Sequence, residues 1–142
     1  MLHAGIPASG DRGEQPTRRN LLKYPKLELA DITPLQDYYD DGRGNKYSVA
    51  RLVDAAKDLE PFDIPIAGID LDAQIWSGCN IFWLAFHVKK VQEADLSKPI
   101  ILDWNGSIAD GRHRLIKAIV EGRRTIKAVR LTWEIEPDKK EE

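Results

Sequence analysis

The chain has 142 residues, 42% of them apolar and 31% charged, with a formal net charge of −2. That is enough chain for one domain with a buried core, and the near-balanced charge excludes a globally basic nucleic-acid binder. A single cysteine, Cys79, excludes an internal disulfide framework and a CxxC zinc site, which fits a reducing cytoplasm.

Residues 1–20 are rich in Gly, Pro, Ser, Arg and Gln and read as a disordered N-terminal arm. They lack the charged start and apolar stretch of a signal peptide. The domain is expected over 21–135, followed by a charged tail over 136–142. Lys26–Ile32 alternates polar and apolar residues and predicts a strand, ended by Pro34. Asp40-Asp41-Gly42-Arg43-Gly44-Asn45 predicts a turn or loop. Ser48 is placed to cap a helix running to Leu59, with Val49, Leu52, Val53, Ala56 and Leu59 on its inner stripe.

Ile64–Leu71 reads as an edge strand because of Pro65. Ile81–Ala94 reads as a helix with Ile81, Leu84, Ala85, Val88 and Val91 toward the core. Its apolar run, Ile81 to Val88, contains His87 and is too short to span a bilayer, so no membrane partner is expected. Pro99–Trp104 and Ser107–Ala109 predict a hairpin across Asn105-Gly106, a pair suited to a type I′ turn. Of the four tryptophans, Trp104 beside this turn is expected to be the most exposed, the others serving the core. A helix over 111–121 follows, with Leu115, Ala118 and Ile119 inward and Gly122 just past its end. Ile126–Trp133 closes the domain as a strand. The order predicts a compact single-domain α+β fold, a small mixed sheet with packed helices.

Asp110-Gly111-Arg112-His113-Arg114 falls where the hairpin meets that last helix. A helix start presents N–H groups without internal partners and a dipole that favours anions. Arg supplies a planar fork for phosphate oxygens, and His a titratable donor. Gly111, Arg112, His113 and Arg114 are therefore candidate phosphate-binding residues. Asp110 and His113 are candidate catalytic groups, although helix capping is the simpler role for Asp110. Lys98 and His87 are secondary candidates, His87 because its helix leads directly to Lys98-Pro99. Packing within an aromatic helix is the simpler role for His87. The three histidines lack the paired spacing of a zinc site, so no metal ligands are assigned. Basic residues gather between Arg112 and Arg130, which leaves a DNA-backbone surface as an alternative.

The run Lys98-Pro99-Ile100-Ile101-Leu102, then Ile108 to Ala118 through Gly111-Arg112-His113-Arg114, then Ile126-Lys127-Ala128-Val129, resembles the ParB/sulfiredoxin-like superfamily. Small stand-alone ParB-like nuclease-domain proteins share its Asp-Gly-x-His-Arg-Leu form. The resemblance covers about residues 95–131, includes Leu27–Pro34 as the opening strand, and is loose over 35–90. It implies a nucleoside triphosphate, ATP or CTP, accompanied by magnesium, with Arg114 as the phosphate-binding arginine and Gly111 giving close backbone approach. Weak NTPase activity or nuclease activity falls within its range. Sulfiredoxins carry their reactive cysteine where Arg112 stands, which speaks against a sulfinic-acid reductase. ParB partition proteins carry Glu at that position and usually Gln where Lys98 stands. They also carry a DNA-binding domain and a dimerisation tail, for which 142 residues leave no room. A DNA-binding or nuclease accessory protein and a non-catalytic interaction module are the alternatives. Oligomeric state and the base of the nucleotide are left open.

Overall fold

The computed structural model describes residues 24–34, 36–73, 75–76 and 78–140. The arm over 1–20 lies outside them. Its elements are β1 (Tyr38–Asp40), β2 (Asn45–Ser48), α1 (Val49–Ala56), β3 (Phe62–Pro65), α2 (Ile81–Glu93), β4 (Ile100–Leu102), β5 (Ile108–Asp110), α3 (Arg112–Val120), β6 (Thr125–Arg130) and β7 (Lys139–Lys140), with a 3-10 turn at Ile66–Gly68.

The strands make two sheets. One is antiparallel, in the order β1-β2-β7; the other is mixed, in the order β3-β6-β4-β5. In the mixed sheet β4 and β6 run parallel, joined by a crossover through α3, and both outer pairs are antiparallel. This is the α+β single domain that the element order predicted. Residues of β4 and β6 bury both faces, as parallel strands covered on two sides must. Ile101 and Val129 join Tyr39, Tyr47, Leu52 and Leu131 in one core. Ile100, Leu102, Ile126 and Ala128 join Leu115 and Ala118 of α3 in the other.

Several local readings are corrected by packing. Lys26–Ile32 is no strand: it has no partner strand, and Leu27 and Ile32 are exposed. β1 and β2 arise instead from the flanks of the Asp40–Asn45 turn. Their alternation is too brief to stand out, with Tyr39 and Tyr47 as the inward pair. Asp41 ties that turn by accepting from the N–H groups of Arg43 and Asn45 at 2.7 and 3.2 Å. Ser48 occupies the N-cap of α1 without a side-chain capping bond. The helix ends at Ala56, short of Leu59, and Val53 of its stripe is exposed. β3 does lie at a sheet edge, but it ends at Pro65 and yields to the 3-10 turn.

The largest difference is the rotation of α2. Ile81 is 89% exposed, and Leu84 and Val88 are exposed too, while Phe86 takes the core position. Asn80 fixes the helix start by accepting from the N–H of Trp83 at 2.9 Å. At its far end the Lys117 ammonium donates to the carbonyls of Gln92 and Ala94, which ties α3 to the last turn of α2. Ile119 of α3, expected inward, is 42% exposed. Gly122 stands just past α3 with φ 76°, and Arg123 N–H closes the end on Ala118. Lys139 and Lys140, read as tail, pair with β2, and Asp138 anchors them by accepting from Ser48 N–H and Arg51.

The β4–β5 hairpin is built on Asp103. This residue is 2% exposed, and it is the buried charged side chain among the described residues. Its Oδ1 accepts from the N–H groups of Asn105 and Ser107 at 2.8 and 2.9 Å. Its Oδ2 accepts from the Tyr39 hydroxyl at 2.8 Å. The expected type I′ turn does not form, because no non-glycine residue among the described residues, Asn105 included, has positive φ. Gly106 alone takes φ 84° and donates to the Asp103 carbonyl, which is a type I turn closed by a glycine bulge. Trp104 is half-buried, edge-on to Tyr47, and less exposed than Trp83 or Trp133.

Asp103→Ala removes the buried acceptor of three donors, the Tyr39 hydroxyl and two amides of the exposed turn, and is expected to destabilise the domain by about 3 kcal/mol. Tyr39→Phe removes one of those bonds and should cost about 1 kcal/mol. Urea unfolding checks both, and equal losses would show that the turn amides are satisfied some other way.

Candidate functional site

β5 delivers the chain to Gly111, which takes φ 107° and ψ 20° and serves as the N-cap of α3. The first helical bond runs from Leu115 N–H to the Gly111 carbonyl. No side chain among the described residues caps this end, so within them the first-turn N–H groups of Arg112, His113 and Arg114 have no side-chain partner. Glycine is required here twice. Its φ suits no ordinary L-residue, and a Cβ would stand 2.6 Å from Ile100 Cγ2 on β4. The side that a Cβ would fill is therefore packed against the sheet.

Asp110 is not the cap. Its Oδ2 accepts from Arg114 Nη2 at 2.9 Å, in a pair whose side chains are 25% and 17% exposed. Arg114 is thus folded back onto the carboxylate one turn before it. Its Nε is buried without a hydrogen-bond partner, and the residue lines neither of the two cavities that flank the motif. Lys98 is exposed and also lines neither.

The other candidates converge. A cavity of about 350 Å³ opens at the helix start, bounded by Asp37, Trp76, His87, Lys90, Gly111, Arg112 and His113 among others. His87 Nδ1 and His113 Nε2 lie 2.9 Å apart, so one ring donates to the other across α2 and α3. Trp76 covers the pair, stacked on His87 at 3.6 Å between centroids and on His113 at 5.5 Å. The Arg112 guanidinium lies over the Tyr39 ring at 5.9 Å. That contact places a cation between this cavity and the next.

Electrostatics keep the imidazoles neutral near pH 7. Burial pushes His113 down to about 4, reinforced by His87, Lys90, Arg114 and Arg112. Burial also lowers His87, against the pull of Asp37. Asp37 is raised, first by burial and further by Asp110, against a hydrogen bond from its neighbour's N–H. A neutral His113 donates at one nitrogen and accepts at the other; with Nε2 engaged by His87, Nδ1 is the nitrogen that can meet a phosphate oxygen or a hydroxyl, according to the tautomer.

Asp37, Trp76 and Lys90 were not legible as site residues. They come from three segments that tertiary packing alone brings together, and their only trace in sequence was an acid, a tryptophan and a lysine among many. The basic stretch is largely engaged within the chain. Lys117 holds α2, Arg123 faces Glu121, Lys127 faces Asp63 at 4.0 Å, and Arg130 donates to the Trp104 carbonyl. No group of three or more His, Cys, Asp or Glu among the described residues is arranged to hold a metal ion. None of the described helices is long and apolar enough to cross a membrane.

The unfolded chain protonates its histidines near the usual imidazole value of about 6.5, the folded chain only nearer 4 at His113. Stability is therefore fully present above that upper value and declines as pH falls through the window. Asp37 has the opposite sign and offsets part of the lower end. Thermal unfolding followed from pH 7 to 5 should show a falling midpoint, with a flatter slope in His113→Gln; equal slopes would locate the titration elsewhere. Gly111→Ala is expected to lose about 2 kcal/mol or more from strained φ and the clash with Ile100, read by urea unfolding.

The chain matches no family model, no curated protein and no solved structure, so the chemistry of this cavity is read from its own residues.

Proposed function

We propose that the cavity at the start of α3 binds the phosphates of a nucleoside triphosphate, in a domain of the ParB/sulfiredoxin-like kind. One observation carries the reading: Gly111 opens an uncapped helix N-terminus into a cavity walled by Arg112, Lys90 and the His87–His113 pair. Free N–H groups and the helix dipole attract an anion, and the two cations supply charge-assisted hydrogen bonds. The order β4, β5, glycine turn, α3, β6 is also the order that the resemblance implied.

The residues divide the work. Arg112 and Lys90 grip phosphate oxygens, and His113 donates or accepts at the cavity floor. Arg114, paired with Asp110, holds the turn that presents Gly111. That pairing offsets part of the repulsion that Asp110, which lines the cavity, would exert on phosphate. Asp37 is the open carboxylate, and one carboxylate is enough for a magnesium ion that arrives on the triphosphate with its own waters. Proton transfer at the His87–His113 pair would support slow hydrolysis.

A second reading, an interaction module on the same fold, is favoured by the exposed apolar face of α2 at Ile81, Leu84 and Val88. A DNA-directed role draws less support, since most of the basic side chains between Arg112 and Arg130 already have partners in the chain.

Calorimetric titration with ATP, CTP and GTP, with and without magnesium, tests the proposal. At least one triphosphate should bind, and Arg112→Ala should weaken it tenfold or more, about 1.4 kcal/mol. Absence of binding by every triphosphate, or an unchanged affinity in Arg112→Ala, would overturn it.

A further inference from the structure

A second cavity, of about 360 Å³, adjoins the one at the helix start. Among the described residues only Arg112 and Ile75 line both. Their characters are opposite. The cavity at the helix start collects Lys90, His87 and His113. In the second, Ile69 and Leu115 contribute from the buried core, and Leu71, Ile75 and Ile119 contribute from exposed positions. Large apolar side chains left in water around a concave space mark a place that receives an apolar group.

The charge around this apolar space is negative. Asp40, Asp41 and Asp70 line it against one cation among the described residues, Arg112. That arginine lies over the Tyr39 ring, at the border with the other cavity. Asp41 has both oxygens engaged by the turn it closes, with the Arg43 and Asn45 N–H groups on Oδ1 and the Asn45 amide on Oδ2. Asp40 and Asp70 accept through Oδ1, from Gly42 N–H at 2.8 Å and Asp72 N–H at 3.0 Å. Those backbone bonds orient the two carboxylates, and Oδ2 of each keeps its acceptor capacity. A carboxylate offers acceptors and no donors, and an ammonium offers three donors and no acceptor. An anion would meet repulsion here, and a neutral apolar molecule would leave the carboxylates unused.

We infer that this second cavity binds a small organic amine, a protonated primary amine carried on an apolar body. The body enters against Ile69 and Leu115 beneath the exposed apolar rim, and the ammonium stays at the mouth, donating to Asp40 or Asp70. A concave space of about 360 Å³ suits a small molecule rather than an extended chain segment. Charge complementarity at the mouth selects the head group, and the apolar lining supplies the contact area. The site is independent of the phosphate reading: it uses neither the N–H groups of the α3 start nor Lys90, and it stands if no triphosphate binds.

The probe is phenylbutylamine, titrated into the full chain by calorimetry near neutral pH. Phenylbutanol and phenylbutyrate keep its body and change its head, and spermidine keeps cationic amines without the apolar body. Phenylbutylamine should bind at least tenfold more tightly than phenylbutyrate and spermidine, and at least threefold more tightly than phenylbutanol. Asp40→Asn combined with Asp70→Asn should bring the amine down to the phenylbutanol affinity while leaving phenylbutanol unchanged. Ile119→Trp enlarges a lining side chain at an exposed position and should weaken the amine and the alcohol alike. An unchanged melting midpoint verifies the fold of the variants, and the comparison on the unmodified chain decides the matter even where a variant is unstable. If spermidine matches phenylbutylamine, the mouth attracts any cation and the amine site is overturned. It is overturned equally if phenylbutyrate or phenylbutanol matches the amine, or if none of the four binds. Tighter binding by an acetylated and amidated leucine–lysine–leucine peptide than by phenylbutylamine would assign the cavity to a protein partner and overturn the small-molecule site.

Discussion

The buried carboxylate of Asp103 is the constraint on which the arrangement depends. A charge removed from water is tolerated only when its lone pairs are met, and three donors meet this one. Two are amides of the β4–β5 turn, so the turn conformation and the carboxylate specify each other. The third is the Tyr39 hydroxyl, which belongs to the other sheet. Burial and this hydrogen bond push that hydroxyl well above the usual phenol range, so it remains a donor. The ring of Tyr39 carries the Arg112 guanidinium. One side chain thus joins the two sheets, sets the hairpin that leads to Gly111, and locates the cation shared by the two cavities.

Charge in the site is arranged by pairing rather than by composition. Asp110 and Arg114 pair at the helix start; Asp110 lines the cavity together with Gly111, Arg112 and His113, and Arg114 does not. Two neighbouring arginines consequently have different roles. Arg114 is enclosed and structural, while Arg112 is poised on an aromatic ring between two cavities of opposite character. The His87–His113 contact adds a polar link between α2 and α3 at the point where both helices border the cavity. Trp76 shields that link from one side.

The parts of the fold that could be read from sequence are those with sustained local signals. α1 and α2 carry helical spacing, Gly122 terminates α3, the apolar run of β4 announces a strand, and the alternation from Ile126 announces β6. What sequence concealed was set by partners. β1 and β2 are three and four residues long, too short for alternation to register, and they exist because Asp41 closes their turn and β7 extends them. The face of α2 was misjudged because the helix is apolar on several sides, and Phe86, rather than the longer stripe from Ile81, is the side chain it buries. The motif at the start of α3 was legible as a glycine-led helix start rich in basic side chains. Its companions Asp37, Trp76 and Lys90 were not, since nothing in their own neighbourhoods marks them.

Gly111 has a consequence for how such motifs evolve. Two independent demands, a left-handed turn and the approach of Ile100, exclude every side chain at this position whether or not a ligand visits the other side. The glycine would therefore persist in a descendant that had lost all binding, because the sheet still needs it. Arg112 has no such second employment in the packing of β4 against α3. In a lineage of this domain, the residue after the glycine would drift first once the ligand was abandoned. Its retention is the informative mark, and the glycine beside it is a mark of folding alone.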